Sequence, residues 1–144
     1  MVADLDLVRR LAAADRGLAI VATTRADGSV QASLVNAGVF DHPVTGEPVV
    51  AFVAAGAALK LRLMRRSGRA AVTFRAGWEW VSVEGPVSMI GPDEPAPGVD
   101  LPPLLRAIFT AAGGTHDDWA EFDRVMAAEQ RVAVFVDPAR ISSN

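Results

Sequence analysis

Between Glu47 and Glu79 the chain has no acidic residue and six cations, Lys60, Arg62, Arg65, Arg66, Arg69 and Arg75. Such a cluster is what an anion needs. Arginine grips a carboxylate or phosphate with a planar fork, and lysine acts as a point charge. A short helix is expected over 57–67 (AALKLRLMRRS), directly after Gly56. Its free N–H groups and positive dipole end would lie beside Lys60. At helical spacing Arg62, Arg66 and Arg69 share one face, and Leu59 and Leu63 share another. The segment reads either as an anion site or as a solvated basic face, and charge runs are more often the latter.

Gly77-Trp78-Glu79-Trp80 offers a second chemistry. In a strand the two indoles point to one side, and an indole can wall a flat ring system. The competing reading is a core or subunit-contact role, which is favoured for Trp80. Asn36 interrupts an apolar strand, so its amide must bond backbone or ligand. His116, Asp117, Asp118, Glu121 and Asp123 superficially resemble a metal set. They contain no His-x-x-x-His pair, and carboxylates early in a helix complement its dipole, so no metal is expected there. His42 falls in a turn and is expected to be exposed. Cysteine is absent, which excludes disulfides and thiolate chemistry. There is no Gly-x-Ser-x-Gly, no Walker loop and no Gly-x-Gly-x-x-Gly after a strand. An enzyme built on this chain would therefore leave the reaction to a bound cofactor and supply binding and orientation.

The elements that must position these residues follow from patterning. The chain has 144 residues, 51% hydrophobic and 22% charged, which suits a single domain over 1–144 with one sizeable core. A net charge of −3 argues against general nucleic-acid binding. The longest apolar run, 49–59, is too short to span a membrane, and the start carries Asp4 and Asp6 rather than a leader pattern, so a cytoplasmic location is expected. A helix over 4–14, capped by Asp4, precedes a hairpin of strands 18–25 and 29–40 around Ala26-Asp27-Gly28. A turn at 41–48 leads to a strand over 49–55. After the short helix come strands 69–75 and 78–90, with Gly85-Pro86 marking a bulge or bend. A proline-rich loop, 91–100, precedes helices 101–112 and 117–130, the second capped by Thr115 or Asp117. A strand over 131–136 closes the chain. Six strands joined by tight turns imply a mainly β, antiparallel barrel with flanking helices.

Four segments in order resemble the pyridoxamine 5′-phosphate oxidase-like, FMN-binding split-barrel superfamily. They are ATTRADGSVQASLVNAGVFDHP (22–43), LKLRLMRRSGRAAVTF (59–74), GWEWVSVEGPVSM (77–89) and GGTHDDWAEFDRVM (113–126) with RVAVFVDPARI (131–141). The closer likeness is to its branch that binds the deazaflavin coenzyme F420. The resemblance implies an antiparallel split barrel working as a homodimer, with two cofactor sites at the subunit interface. It places Lys60 and Arg62 against the cofactor phosphate and acidic tail. Trp78 falls near the cofactor, and Arg131 matches the basic residue opening the last strand. Asn36 is carried over from its place on the second barrel strand. The implied activity is hydride transfer between reduced F420 and a small organic acceptor. The same superfamily implies two alternatives, an FMN-dependent enzyme or a non-catalytic flavin or tetrapyrrole binder. The chain departs from many relatives at Ala58, Gly68 and Gln130, where they carry a polar residue, proline and arginine.

Overall fold

The computed structural model describes residues 3–144. In chain order the elements are α1 (Leu5–Ala14), β1 (Leu18–Thr24), β2 (Val30–Asp41), β3 (Pro48–Ala54), α2 (Leu59–Ser67), β4 (Arg69–Ala76) and β5 (Glu79–Ile90). They continue with α3 (Leu101–Ala111), α4 (Trp119–Ala128), β6 (Val132–Val136) and β7 (Arg140–Ser143). The strands run in the order β4-β1-β2-β3-β6-β5, and a β4–β5 pairing closes the circle. Every pairing is antiparallel. The expected six-stranded barrel is therefore present, with β7 added beside β5.

Two long strands each serve both halves of the barrel. Strand β2 pairs with β1 up to Asn36 and with β3 from Ala37 onward. Strand β5 pairs with β4 up to Pro86 and with β6 from Val87. Gly85-Pro86 is thus the place where β5 changes partners. Proline has no N–H for a ladder, and here only its carbonyl is used, accepting from Asp137 N–H at 2.9 Å. Gly85 permits that crossing, because a Cβ would lie 2.0 Å from the Asp137 carbonyl oxygen.

Alternation along the strands sends side chains to two different places. Val21, Val50, Phe52, Val72, Phe74, Val83 and Val134 fill the barrel, joined by Leu61 and Met64 of α2 and by Val8 and Leu11 of α1. Asp4 caps α1, accepting from Leu7 N–H at 3.0 Å. The outward residues Val49, Ala51, Ala133 and Phe135 of β3 and β6 pack under Leu104, Leu105, Ile108 and Phe122 of α3 and α4. An ion pair and a cation–π contact lock those helices: Arg106 Nε reaches Asp123 at 2.9 Å, and its guanidinium lies 5.5 Å from the Trp119 ring. The outer face of β1 and of the first half of β2 carries exposed apolar side chains. Leu18, Ile20, Val30 and Leu34 stand exposed there, with Ile20 opposite Leu34 in the register.

Several boundaries differ from expectation. Helix α2 starts at Leu59 and ends at Ser67 with Gly68 in a left-handed cap, so Arg69 belongs to β4 and not to the helical basic face. Asp118, not Thr115 or Asp117, caps α4, accepting from Glu121 N–H at 3.1 Å. His42 is half-buried. Its Nε2 meets Ser88 Oγ at 3.1 Å, its Nδ1 accepts from Val44 N–H at 3.1 Å, and its ring centroid is 4.5 Å from that of Phe135. Burial pushes its pKa below the ordinary histidine value. No described helix is long and apolar enough to cross a membrane.

Candidate functional site

Lys60 sits in the first turn of α2, whose N-cap, Ala58, has no side chain to bond the free N–H groups. Those groups remain available to an anion. Gly56 brings a second cation to the same place. Its N–H donates to Glu129 O at 3.1 Å, so the turn before α2 lies directly against the α4–β6 connection that carries Arg131. Lys60 is half-buried, and its pKa is lowered first by desolvation and then by the charge of Arg131. The uncapped start of α2 with Lys60 and the neighbouring Arg131 together make a candidate anion site. Arg131 is steadied by Glu129, whose Oε1 accepts from Nε at 2.9 Å and from Nη2 at 2.7 Å.

The rest of the basic run is divided. Arg65 pairs with Glu94, Arg66 donates to the Thr24 carbonyl at 3.1 Å, and Arg75 donates to the Gly77 carbonyl at 3.0 Å. Arg62 is exposed and has no hydrogen bond or ion pair among the described residues. Two residues from Lys60, it points about 200° away around the helix.

A cavity of about 510 Å³ opens between α3, α4 and the outward side of β2 and β3. Arg131 lies at its wall with Asn36 and Val53, and Phe109, Phe122 and His116 supply rings. Phe109 and Phe122 meet at 5.0 Å between centroids, and His116 lies 5.7 Å from Phe122. Volume and lining suit a small molecule bearing a flat ring. Asn36 borders this cavity at the point where β2 changes partners. Its Nδ2 donates to the carbonyls of Arg16 at 2.6 Å and Ala112 at 3.2 Å, so its amide nitrogen ties β2 to the α1–β1 turn and to the end of α3.

Trp78 is not on a strand. It occupies the β4–β5 turn and is 94% exposed, so it does not share a strand face with Trp80. The indole pair expected from alternation does not form. The eight residues of β4 separate this turn from α2, roughly 25 Å at the strand rise per residue. Within one chain, then, Lys60 lies near Arg131 and Arg131 lines the cavity, while Trp78 stands in the turn at the other end of β4 from α2. Phe109 and Phe122 were not singled out as ring-binding in the sequence. Phe109 and Phe122 lie on different helices, and only the packing of α3 on α4 joins them. Gln31 Oε1 and Ser33 Oγ are buried without partners among the described residues. By alternation they face away from Leu34 and Asn36, hence away from the cavity.

No family model matches the chain. Several solved structures share its architecture. The conserved hypothetical protein Rv2991 from Mycobacterium tuberculosis is 18% identical, with a TM-score of 0.71 over 99% of this chain and 85% of that one. An F420 reductase is 16% identical, with a TM-score of 0.60 over 87% of this chain and 88% of that one. A pyridoxamine 5′-phosphate oxidase-related, FMN-binding protein from Nostoc punctiforme is 10% identical, with a TM-score of 0.59 over 96% and 80%. Identities this low speak to fold, and fold alone does not assign a reaction. With its closed six-stranded antiparallel barrel and its two shared strands, the chain has the same fold as these structures.

Proposed function

We propose that this protein is an oxidoreductase that uses the deazaflavin coenzyme F420 and acts as a homodimer in the cytoplasm. The observation that carries the reading is that the uncapped start of α2, with Lys60, is docked through Gly56 on the connection that carries Arg131, which also lines the ring-bearing cavity. The donor set fits the coenzyme. Lys60, Arg131 and the free N–H groups of α2 would hold its phosphate, and exposed Arg62 would meet the carboxylates of its tail. The bound coenzyme supplies a hydride for a small organic acceptor; the chain supplies grip, orientation and a partly dry wall.

The homodimer rests on two features. Leu18, Ile20, Val30, Leu34 and Trp80 leave an apolar face without cover. Trp78 cannot reach the cation pair of its own chain, so a role beside the coenzyme requires a second copy to supply it.

An FMN-dependent reading draws on the same pair, because two cations at a helix start suffice for a single phosphate. The loop before α2, Ala54-Ala55-Gly56-Ala57-Ala58, offers that phosphate no polar side chain, which favours the longer coenzyme. Parallel titrations of F420 and FMN at low and high salt test the choice. Tighter F420 binding that weakens with salt is expected. Tighter FMN binding would overturn the assignment, and binding of either without turnover across a panel of acceptors would leave a carrier.

A further inference from the structure

The cavity is polarised. Its wall carries Arg131, while Asp117 and Glu121 stand near His116 at the start of α4. Neither carboxylate forms an ion pair among the described residues. Glu121 complements the α4 dipole, but Asp117 lies outside the helix and Asp118 already serves as the cap. His116 is fixed in one orientation of use. Its Nδ1 accepts the Asp118 N–H at 3.0 Å, which leaves the ring proton on Nε2. Its ring lies edge to face with Phe109 at 6.4 Å and beside Trp119 at 5.8 Å.

We propose that this acidic, ring-lined end of the cavity binds the electron acceptor and selects flat rings that are uncharged or cationic and carry an oxygen for the His116 Nε2–H. It deepens the oxidoreductase reading and rests on it for the acceptor's role. Phe109 and Phe122 take the ring, and Nε2–H donates to a carbonyl or nitro oxygen at its edge. That hydrogen bond strengthens as charge gathers on the oxygen during reduction. No proton leaves His116. An anionic ring meets Asp117 and Glu121 and is repelled, whereas the anionic part of the coenzyme is drawn toward Lys60 and Arg131.

The test is calorimetric titration of the purified full chain, without coenzyme, using 4-nitrobenzyl alcohol, 4-nitrobenzylamine and 4-nitrobenzoate. At low salt the alcohol and the amine should bind about five- to tenfold more tightly than the benzoate, as expected for a charge near a solvated carboxylate. Asp117→Asn combined with Glu121→Gln should erase the ranking. His116→Phe keeps the ring and loses the donor, so it should weaken all three roughly threefold to tenfold and leave the ranking intact. The His116 ring resonances should shift on addition of the alcohol. Preference for the benzoate, equal binding, no binding, or an unchanged His116→Phe variant would each overturn the proposal. Coenzyme binding without the ranking would defeat this inference alone; the ranking without coenzyme binding would defeat the cofactor assignment alone.

Discussion

The backbone at Gly56 is pressed against Gln130, so that a Cβ on Gly56 would lie 2.6 Å from the Gln130 carbonyl oxygen. This one close approach docks the turn before α2 on the α4–β6 connection, and so brings the start of α2 beside the segment that carries Arg131. Gly56→Val should force the two segments apart. Overpacking of this kind costs about 1–3 kcal/mol, so the melting temperature should fall and coenzyme affinity should fall further than the loss of fold explains. Thermal melting and titration of the same preparation check both parts.

Lys60→Ala and Arg131→Ala should each cost about 1.5–3 kcal/mol of coenzyme affinity, the range for charge-assisted hydrogen bonds. Their combined effect should fall short of the sum, because neighbours that share a ligand couple. Stability should hardly drop, and relief of the Lys60–Arg131 repulsion should offset lost packing. Arg62→Ala, on the exposed side of α2, should weaken binding less and only at low salt. A double-mutant cycle measured by fluorescence quenching separates these contributions.

The lowered pKa of Lys60 sets the pH dependence of binding. Anion binding needs the ammonium form, so affinity should decline as pH rises through the lowered Lys60 value, before an ordinary lysine would lose its proton. Folding responds with the opposite sign. The unfolded chain holds the Lys60 proton more tightly, so stability without ligand should rise with pH across the same window. Arg131→Gln removes one of the two causes and should move the loss of binding toward the ordinary lysine range. Burial alone would remain. Titrations from pH 7 to 10 with any anionic coenzyme provide the profile.

Trp78 should act from the partner chain. Trp78→Ala and Lys60→Ala homodimers should each lose binding. Mixed dimers should regain one intact site of the two, because one chain then supplies Lys60 and the other supplies Trp78. Recovery on subunit exchange, with none on mixing either variant with itself, is the expected outcome. Ile20→Lys combined with Leu34→Glu would place charges on the apolar face and should yield monomers by sedimentation while leaving the melting temperature nearly unchanged.

His42 should make the fold acid-sensitive. Its pKa is lowered by burial, so the unfolded chain takes up the proton first as pH falls. The stability it contributes is whole above the ordinary histidine value and is lost as pH drops from there toward the lowered value. His42→Gln should flatten the dependence of melting temperature on pH between 7 and 5. An equal slope in both proteins would show that other groups carry it.

The barrel was readable in the sequence because its causes are local. Turn residues at Ala26-Asp27-Gly28 and the β-branched runs on either side dictate a hairpin, and the Asp4 cap and the spacing of Val8 and Leu11 dictate a helix. The short helix that carries Lys60 was legible for the same reason, as was the backbone tie made by Asn36. Other outcomes depended on where an element ends or on contacts distant in sequence. Trp78 lost its strand because the β4–β5 turn took it. Arg69 left the helical face because Gly68 ended α2 in a left-handed cap. Gly85-Pro86 proved to be a change of strand partner, decided by Asp137 some fifty residues on. Strand β7 was not foreseen, since its four residues pair only because β5 offers a free edge. His42 was buried by Phe135, and the ring-lined cavity exists only where α3 packs on α4. Local patterning governs each residue's backbone state, but which side chains share a cavity depends on how whole elements bury their apolar faces, and that energy is set by all of them together.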